Sequence, residues 1–539
     1  MKKSNFLEGA FIATFAIIFT KILGVIYVIP FYNIIGEQGG ALYGYSYTIY
    51  NFFLSISTVG LPLAISKLTS EYNTLDMTSE KVRLYKISRN LILIFSIVSF
   101  LICFIFAKQV AYLIIGNIEN GNIISDVTFT IRMVSFALLV VPLVSIMRGY
   151  LQGHKYIKEP SVSQVIEQVV RVIVILLGSY LTLRVFHLSL KTAIGVSVFA
   201  SCLGGLFAYF YLFDIMRRNK SKLIPSNVSE EKVSNKEIIK KVITYSIPFV
   251  IITCANQIYN STDMILLLRI LGRFGYTGSE IETISSVFTT WGVKINSIVI
   301  AISNGLIISL IPHIVSLYVK KEYDNVNTLF NKCLKIVLLV IIPISVFISV
   351  NSYSVWMIFY GENKFGYLII RLNILLTILD SLYLIVNSLL QSLSKYKILF
   401  TTVGLGIMIN LICDIPMMYL FDYLGFHAFY GAIFATFIGL STSLIVAFRY
   451  LKKELNFSYK STIKLIPRSI INIVILVVIN LLVSLVLPIR SSSRLMQIVN
   501  VGVLGVVSLV LYIILYRNYL EEILPSKVVS MLKKVKVIK

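Results

Sequence analysis

Acidic residues, histidine and cysteine are all scarce in this chain, and each scarcity removes a class of chemistry. Only 14% of its 539 residues are charged, too few to give a water-soluble domain its polar surface. The 4 histidines have no metal-ligand spacing, and no GxxxxGK[ST] phosphate loop occurs, so neither a zinc enzyme nor a nucleotide-driven pump is indicated. Cys103, Cys202, Cys254, Cys333 and Cys413 stand singly, with no CxxC pair, and read as small apolar core residues. No polar stretch is long enough for a soluble catalytic domain. No basic patch joins an aromatic platform of the kind that binds nucleic acid.

What the chain has in quantity is apolar sequence, 57% of it. The apolar runs recur at about twenty residues each, the length at which a helix crosses the hydrocarbon core and about twice that of a barrel strand. The expected fold is therefore an all-α integral membrane protein with about fourteen spans, near residues 6–30, 43–66, 90–115, 125–147, 161–183, 192–213, 242–268, 287–314, 336–360, 367–391, 398–421, 428–448, 469–488 and 497–516. The first run is longer than a signal-peptide core and lacks a small-residue cleavage site, so it is expected to stay as a helix. Basic residues outnumber acidic ones 49 to 25. Most fall in the segments that lie on the cytoplasmic side if the N-terminus is cytoplasmic. That bias predicts a multi-pass plasma-membrane protein with both termini cytoplasmic.

The longest polar stretch, about residues 217–241, carries Arg217, Arg218, Lys220 and Lys222 together with Pro225 and reads as a linker. The tracts Leu151-Gln152-Gly153-His154-Lys155-Tyr156 and Leu390-Gln391-Ser392-Leu393-Ser394-Lys395-Tyr396 repeat at an offset of about 240 residues. Pro62 and Pro312 sit at a similar offset. The division expected is a six-helix lobe over 1–216, the linker 217–241, a second six-helix lobe over 242–450, and two extra helices with a basic tail over 451–539. Six spans per lobe relate the lobes by a parallel pseudo-twofold axis along the membrane normal, around a central cavity.

Charges inside the spans are the candidate functional groups, since each costs several kcal/mol to place in lipid. Lys21 lies about halfway along the first span, and Lys294 lies early in the eighth, above the small polar stripe Ser297, Ala301 and Asn304. Two buried cations suit an anionic substrate such as a pyrophosphate; pairing with a carboxylate or carbonyl to hold helices together is the alternative. The fifth span places Gln164, Glu167, Gln168 and Arg171 on one face, with Glu167 and Arg171 one turn apart, as a site or as a structural pair. Arg132 lies nearer an outer end, within snorkelling reach. Asn256, Asn260 and Asp263 share a face of the seventh span, Asn410 and Asp414 stand one turn apart in the eleventh, and Asp380 stands alone in the tenth. Such oxygens serve either a hard cation or proton, or a helix–helix hydrogen bond.

Lys21-Ile22-Leu23-Gly24, the tract Ile35-Gly36-Glu37-Gln38-Gly39-Gly40-Ala41-Leu42-Tyr43, Gly60-Leu61-Pro62-Leu63-Ala64 and Arg148-Gly149-Tyr150-Leu151-Gln152-Gly153 occur in that order. Together they resemble the SpoVB/YtgP polysaccharide-biosynthesis branch of the multidrug/oligosaccharidyl-lipid/polysaccharide exporter superfamily, and the MurJ-type lipid II flippases. The resemblance implies two six-helix lobes, two extra helices and alternating access. It places Lys21 and Lys294 where family members line the cavity with basic residues, a Lys standing for the more usual Arg as a point charge. Tyr27 and Thr48 fall where further cations are usual. It also implies a Na⁺ site drawn from Asp263, Asn410, Asp414, the Ala432 carbonyl and Thr436.

The function expected is a lipid-linked-saccharide flippase, moving undecaprenyl-pyrophosphate-linked lipid II or a related polysaccharide precursor to the outer leaflet. The substrate-binding candidates are Lys21, Lys294, Arg132, Glu167 and Arg171. No cofactor is expected beyond Na⁺ or H⁺ as coupling ion. The partners expected are the lipid-linked oligosaccharide, the bilayer and cell-wall synthesis proteins. A multidrug or cation antiporter of the same superfamily is one rival, disfavoured by a basic cavity. A membrane glycan polymerase or ligase is the other and lacks a cluster of acidic or histidine residues at an outer loop.

Overall fold

The computed structural model describes residues 15–16, 19–58, 60–116, 121–223, 233–488 and 491–519. The start of the first expected span, the middle of the basic linker and the basic C-terminal tail lie outside the described residues. So do the side chains of Asn256 and Asn260. Among the described residues every regular element is helical. Eleven helices among the described residues are long and apolar enough to cross a membrane, or twelve if one bent pair counts as a span.

The chain divides into two compact units, residues 1–291 and 292–539. The first unit holds α1 (Phe19–Ile26), α2 (Val28–Thr58), α3 (Gly60–Thr74), α4 (Thr78–Ile105), α5 (Ala107–Ile115), α6 (Ile124–Gly153), α7 (Lys158–Val185), α8 (Leu190–Arg218), α9 (Asn235–Leu271) and α10 (Gly278–Ser286). The second holds α11 (Gly292–Val319), α12 (Tyr323–Val350), α13 (Ser352–Tyr360), α14 (Gly366–Ser392), α15 (Tyr396–Tyr423), α16 (Phe429–Glu454), α17 (Lys460–Ser484) and α18 (Arg494–Tyr516).

The beginning of the chain differs from the expected pattern. Spans near 6–30 and 43–66 were expected with a loop between them; instead α1 and α2 form the bent pair, at 46°, and α2 starts as early as Val28. Pro30 falls in the first turn of α2, where its missing N–H is no loss, so it begins a helix rather than ending one. The 46° bend falls between Ile26 and Val28; a separate break comes inside α2 at Gly36, within the loop expected between the first two spans, where a φ of 67° and ψ of −165° lie in a region open to glycine alone. The seventh expected span falls within α9, 37 residues long.

Close helix crossings depend on small residues, as they must where lipid offers no hydrophobic drive for helices to associate. Gly149 and Gly153, one turn apart on α6, face α3. A Cβ on Gly149 meets the Pro62 carbonyl oxygen at 2.5 Å, and one on Gly153 meets the Ser66 carbonyl oxygen at 2.6 Å. Two of the motifs that carry the family resemblance are thus the two sides of one helix crossing. In the second unit α15 and α16 pair in the same way. A Cβ on Gly431 comes within 2.3 Å of the Met418 nitrogen, and one on Gly439 within 2.7 Å of the Gly406 oxygen. The hairpin α17–α18 is anchored by amides: Asn480 accepts from Asn351 at 2.9 Å and donates to Ser508 at 2.7 Å, and Asn472 donates to the Leu515 carbonyl at 3.3 Å.

Gly153→Leu should abolish a monodisperse folded preparation, because the Ser66 carbonyl and the Thr69 Cβ, neither of them the far end of a flexible side chain, block the new atoms. Gly502→Ala, with nothing within 4 Å of its Cβ, should be neutral or stabilising by up to about 1 kcal/mol. Fluorescence-detected size exclusion after heating compares the two.

Candidate functional site

The first unit contains a buried ion triad. Glu167 on α7 gives one oxygen to Arg171 Nη2 at 2.6 Å and the other to Arg148 Nη2, on α6, at 2.9 Å. Arg148 Nε also donates to Ser163 Oγ at 2.8 Å. Gly204 of α8 lets this region close up, since a Cβ there meets the Glu167 carbonyl oxygen at 2.6 Å. Two arginines and one carboxylate leave one net positive charge. Arg171 turns the excess toward the tyrosine face of α2, where Tyr43 and Tyr47 stack at 4.9 Å and Tyr47 shares a hydrogen bond with Ser201 at 3.1 Å. The buried Arg171 Nε has no hydrogen-bond partner. The Glu167–Arg171 pair was legible from its spacing. The third member was not, because Arg148 sits in another helix.

Lys21 is exposed on α1, in the first unit, and Lys294 is half-buried near the start of α11, in the second. Ser297 donates to the Lys294 carbonyl at 2.7 Å, and the neighbouring Asn296 donates to Asn373 of α14 at 3.3 Å. That amide pair tying α11 to α14 was missed, since Asn373 has no partner within its own helix turn. Arg132 is placed at a helix crossing: its Nε donates to the Phe104 carbonyl at 3.3 Å and its guanidinium lies 5.3 Å from the Phe104 ring.

The candidate cation ligands fall in both units. Asp263 is half-buried on α9. In the second unit Asn410 and Asp414 are buried on α15, the helix paired with α16. Neither carboxylate oxygen of Asp414 has a hydrogen-bond partner. On α16 Thr436 donates to the Ala432 carbonyl at 3.0 Å. Among the described residues no group of three or more His, Cys, Asp or Glu side chains gathers as a metal site. Any cation here would rely on a single carboxylate joined by amide, hydroxyl and carbonyl oxygens.

Apolar helices of crossing length and charges confined to buried pairs or single positions define a polytopic membrane protein. Its fold is that of solved exporters: it matches a structure of "Lipid II flippase MurJ, inward closed conformation" with TM-score 0.68 at 16% identity, over 94% of this chain and 99% of that one. It also matches an inward-facing multidrug resistance MATE family transporter of the MOP superfamily with TM-score 0.63 at 13% identity, over 81% and 94%. In sequence it is 30% identical over 492 residues to the Lipid II flippase MurJ of Bacillus subtilis (strain 168), covering 90% of this chain and 88% of that protein. It is 23% identical over 248 residues to Stage V sporulation protein B of the same organism, covering 46% of each chain. The molecule is a multi-pass membrane transporter and not an enzyme. It belongs to the polysaccharide biosynthesis protein family, whose model matches residues 6–275.

Removing the negative centre of the triad strands two buried guanidinium groups. Glu167→Gln should cost about 3–5 kcal/mol and lower the thermal midpoint of the purified protein. Replacing Arg132 by Gln, which strands no buried charge, should shift that midpoint far less.

Proposed function

We propose that this transporter flips a lipid-linked saccharide, specifically an undecaprenyl-pyrophosphate-linked peptidoglycan precursor (lipid II), from the cytoplasmic to the outer leaflet by alternating access. The observation that carries this reading is the 30% identity to a lipid II flippase, sustained over 90% of this chain and 88% of the relative.

Physical chemistry supports the same reading. A pyrophosphate head group is attracted by cations. Lys21 of α1 and Lys294 of α11 are lysines within apolar helices, and as a compact ammonium group each attracts phosphate as a point charge. Glu167 is spent on its two arginines, which leaves the triad a net positive joint. The polyprenyl tail needs no protein site, because the bilayer already solvates it. Both termini are cytoplasmic in this reading, which follows from where the basic residues collect.

Na⁺ is proposed as the coupling ion. The residues present fit it: Asp414 buries two oxygens without hydrogen bonds, beside Asn410 and opposite a helix carrying Thr436 and the Ala432 carbonyl. A hard cation takes oxygen ligands of this kind. Asp263 of α9, in the other unit, is proposed separately as a cation ligand.

Reconstituted vesicles loaded with lipid II test the reading. The wild-type protein should make the lipid accessible at the opposite leaflet, and Lys21→Ala and Lys294→Ala should each slow that by about tenfold or more, equivalent to about 1.4 kcal/mol, with folding intact. Undiminished flipping in both variants contradicts the head-group assignment. Asp414→Asn should remove any acceleration by Na⁺ over K⁺ while keeping the protein folded, since an amide replaces an oxygen pair that nothing in the fold relies on.

A further inference from the structure

The second unit carries a cavity that the transport reading leaves unused. It has a volume of about 360 Å³, within the range of small-molecule sites, and lies at the junction of α13, the loop 361–365 and the start of α14. Its walls are the half-buried rings of Tyr353 and Tyr367 over a floor of buried Trp356 and Met357, and its rim includes Glu362, Asn363 and Lys364.

The wall is rigid. Tyr353 and Tyr367 meet edge to face at 5.3 Å and 78°, and Trp356 packs on Tyr360 at 4.5 Å. The indole of Trp356 lies flat against the backbone at Gly366, where a Cβ would be 2.1 Å from its ring. The rim is held too. Asn363 Oδ1 accepts from the Phe365 and Gly366 amides at 2.8 and 2.7 Å, and Gly361 turns the chain with φ of 80°. Trp356 is 1% exposed, and its Nε1 has no hydrogen-bond partner.

The chemistry of this lining selects a class of ligand. Glu362 and Lys364 oppose each other in charge on the rim, with the Arg494 guanidinium against Gly361 of the same loop, so the rim offers both donors and an acceptor to a polar ligand. An acyl chain would have no use for an amide, a carboxylate and an ammonium group around an aromatic wall. A pyranose ring uses all of them: its C–H faces lie on aromatic rings, and its hydroxyl groups bond to carboxylate, amide and ammonium. The cavity's location agrees. Loop 361–365 shares its end of the unit with the α15–α16 turn, through Phe365 and His427 at 5.9 Å. Lys320, Lys321, Lys395, Lys397, Lys452 and Lys453 flank the connections at the opposite ends of these helices, so by the positive-inside bias the cavity faces the outer side.

We infer that this cavity is a saccharide subsite, holding a neutral pyranose unit of the carried glycan on the outer side of the membrane. This rests on the flippase reading for its ligand and on the cavity itself for its chemistry.

Tryptophan fluorescence tests it directly, because the chain has only 2 tryptophans and only Trp356 lines the cavity. The full-length protein in detergent is titrated with chitobiose, a neutral disaccharide, with glycerol as a polyol control. A saturable change is expected with chitobiose but not glycerol, lost in Trp356→Phe and shifted to about tenfold higher concentration in Glu362→Gln and in Tyr367→Ala. Glu362 is exposed, so its variant keeps the test interpretable should Tyr367→Ala fold poorly. No saturable change, or an equal change in Trp356→Phe, makes the cluster an interfacial aromatic belt and overturns the inference. Flipping measured on the same preparations separates the two claims. Flipping without chitobiose binding removes the subsite alone, whereas binding without flipping upholds the subsite and removes the transport reading.

Discussion

Hydrocarbon offers no hydrogen-bond partner to a bare peptide group, and a chain that crosses it repeatedly must satisfy every amide and carbonyl within its own helices. That constraint makes the described residues helical throughout. It also sets where exceptions are affordable: at Gly36, where a glycine conformation opens the helix, and at the π-turns Leu181–Val185, Val287–Trp291 and Val337–Ile341. The same medium makes ionised groups expensive, so those within the bundle are either tightly paired, as Glu167 is with Arg148 and Arg171, or have a purpose beyond packing.

Much of the fold was legible in the sequence because the signals were strong and local. Apolar runs of crossing length locate α4, α6, α7, α8 and the helices from α12 onward, and the two glycine-bearing motifs meet as one crossing between α3 and α6. The expected count of fourteen is not reached by the eleven or twelve helices that qualify among the described residues. The beginning was misread because Pro30 looks like a helix end in sequence, although a first-turn proline suits a helix equally well.

The candidate site was legible where its members share a helix and obscure where they do not. Glu167 and Arg171, or Asn410 and Asp414, announce themselves by a one-turn spacing. Arg148 lies in another helix from Glu167, and Asn296 in another from Asn373, so only packing brings them together. The aromatic cavity was missed for a different reason. Tyr353, Trp356 and Tyr367 are ordinary residues at a membrane boundary, and their concave arrangement depends on Gly361, Gly366 and the turn held by Asn363.

The claim on which the account turns is that this chain supplies lipid II transport in a cell. The direct measurement is growth and outer-leaflet lipid II in a bacterium depleted of its own flippase and expressing this protein. Rescue is expected with the wild-type chain, and loss of rescue when Lys294 is replaced by Ala at equal membrane abundance. A folded, membrane-inserted wild-type protein that leaves the depleted cells without outer-leaflet lipid II contradicts it.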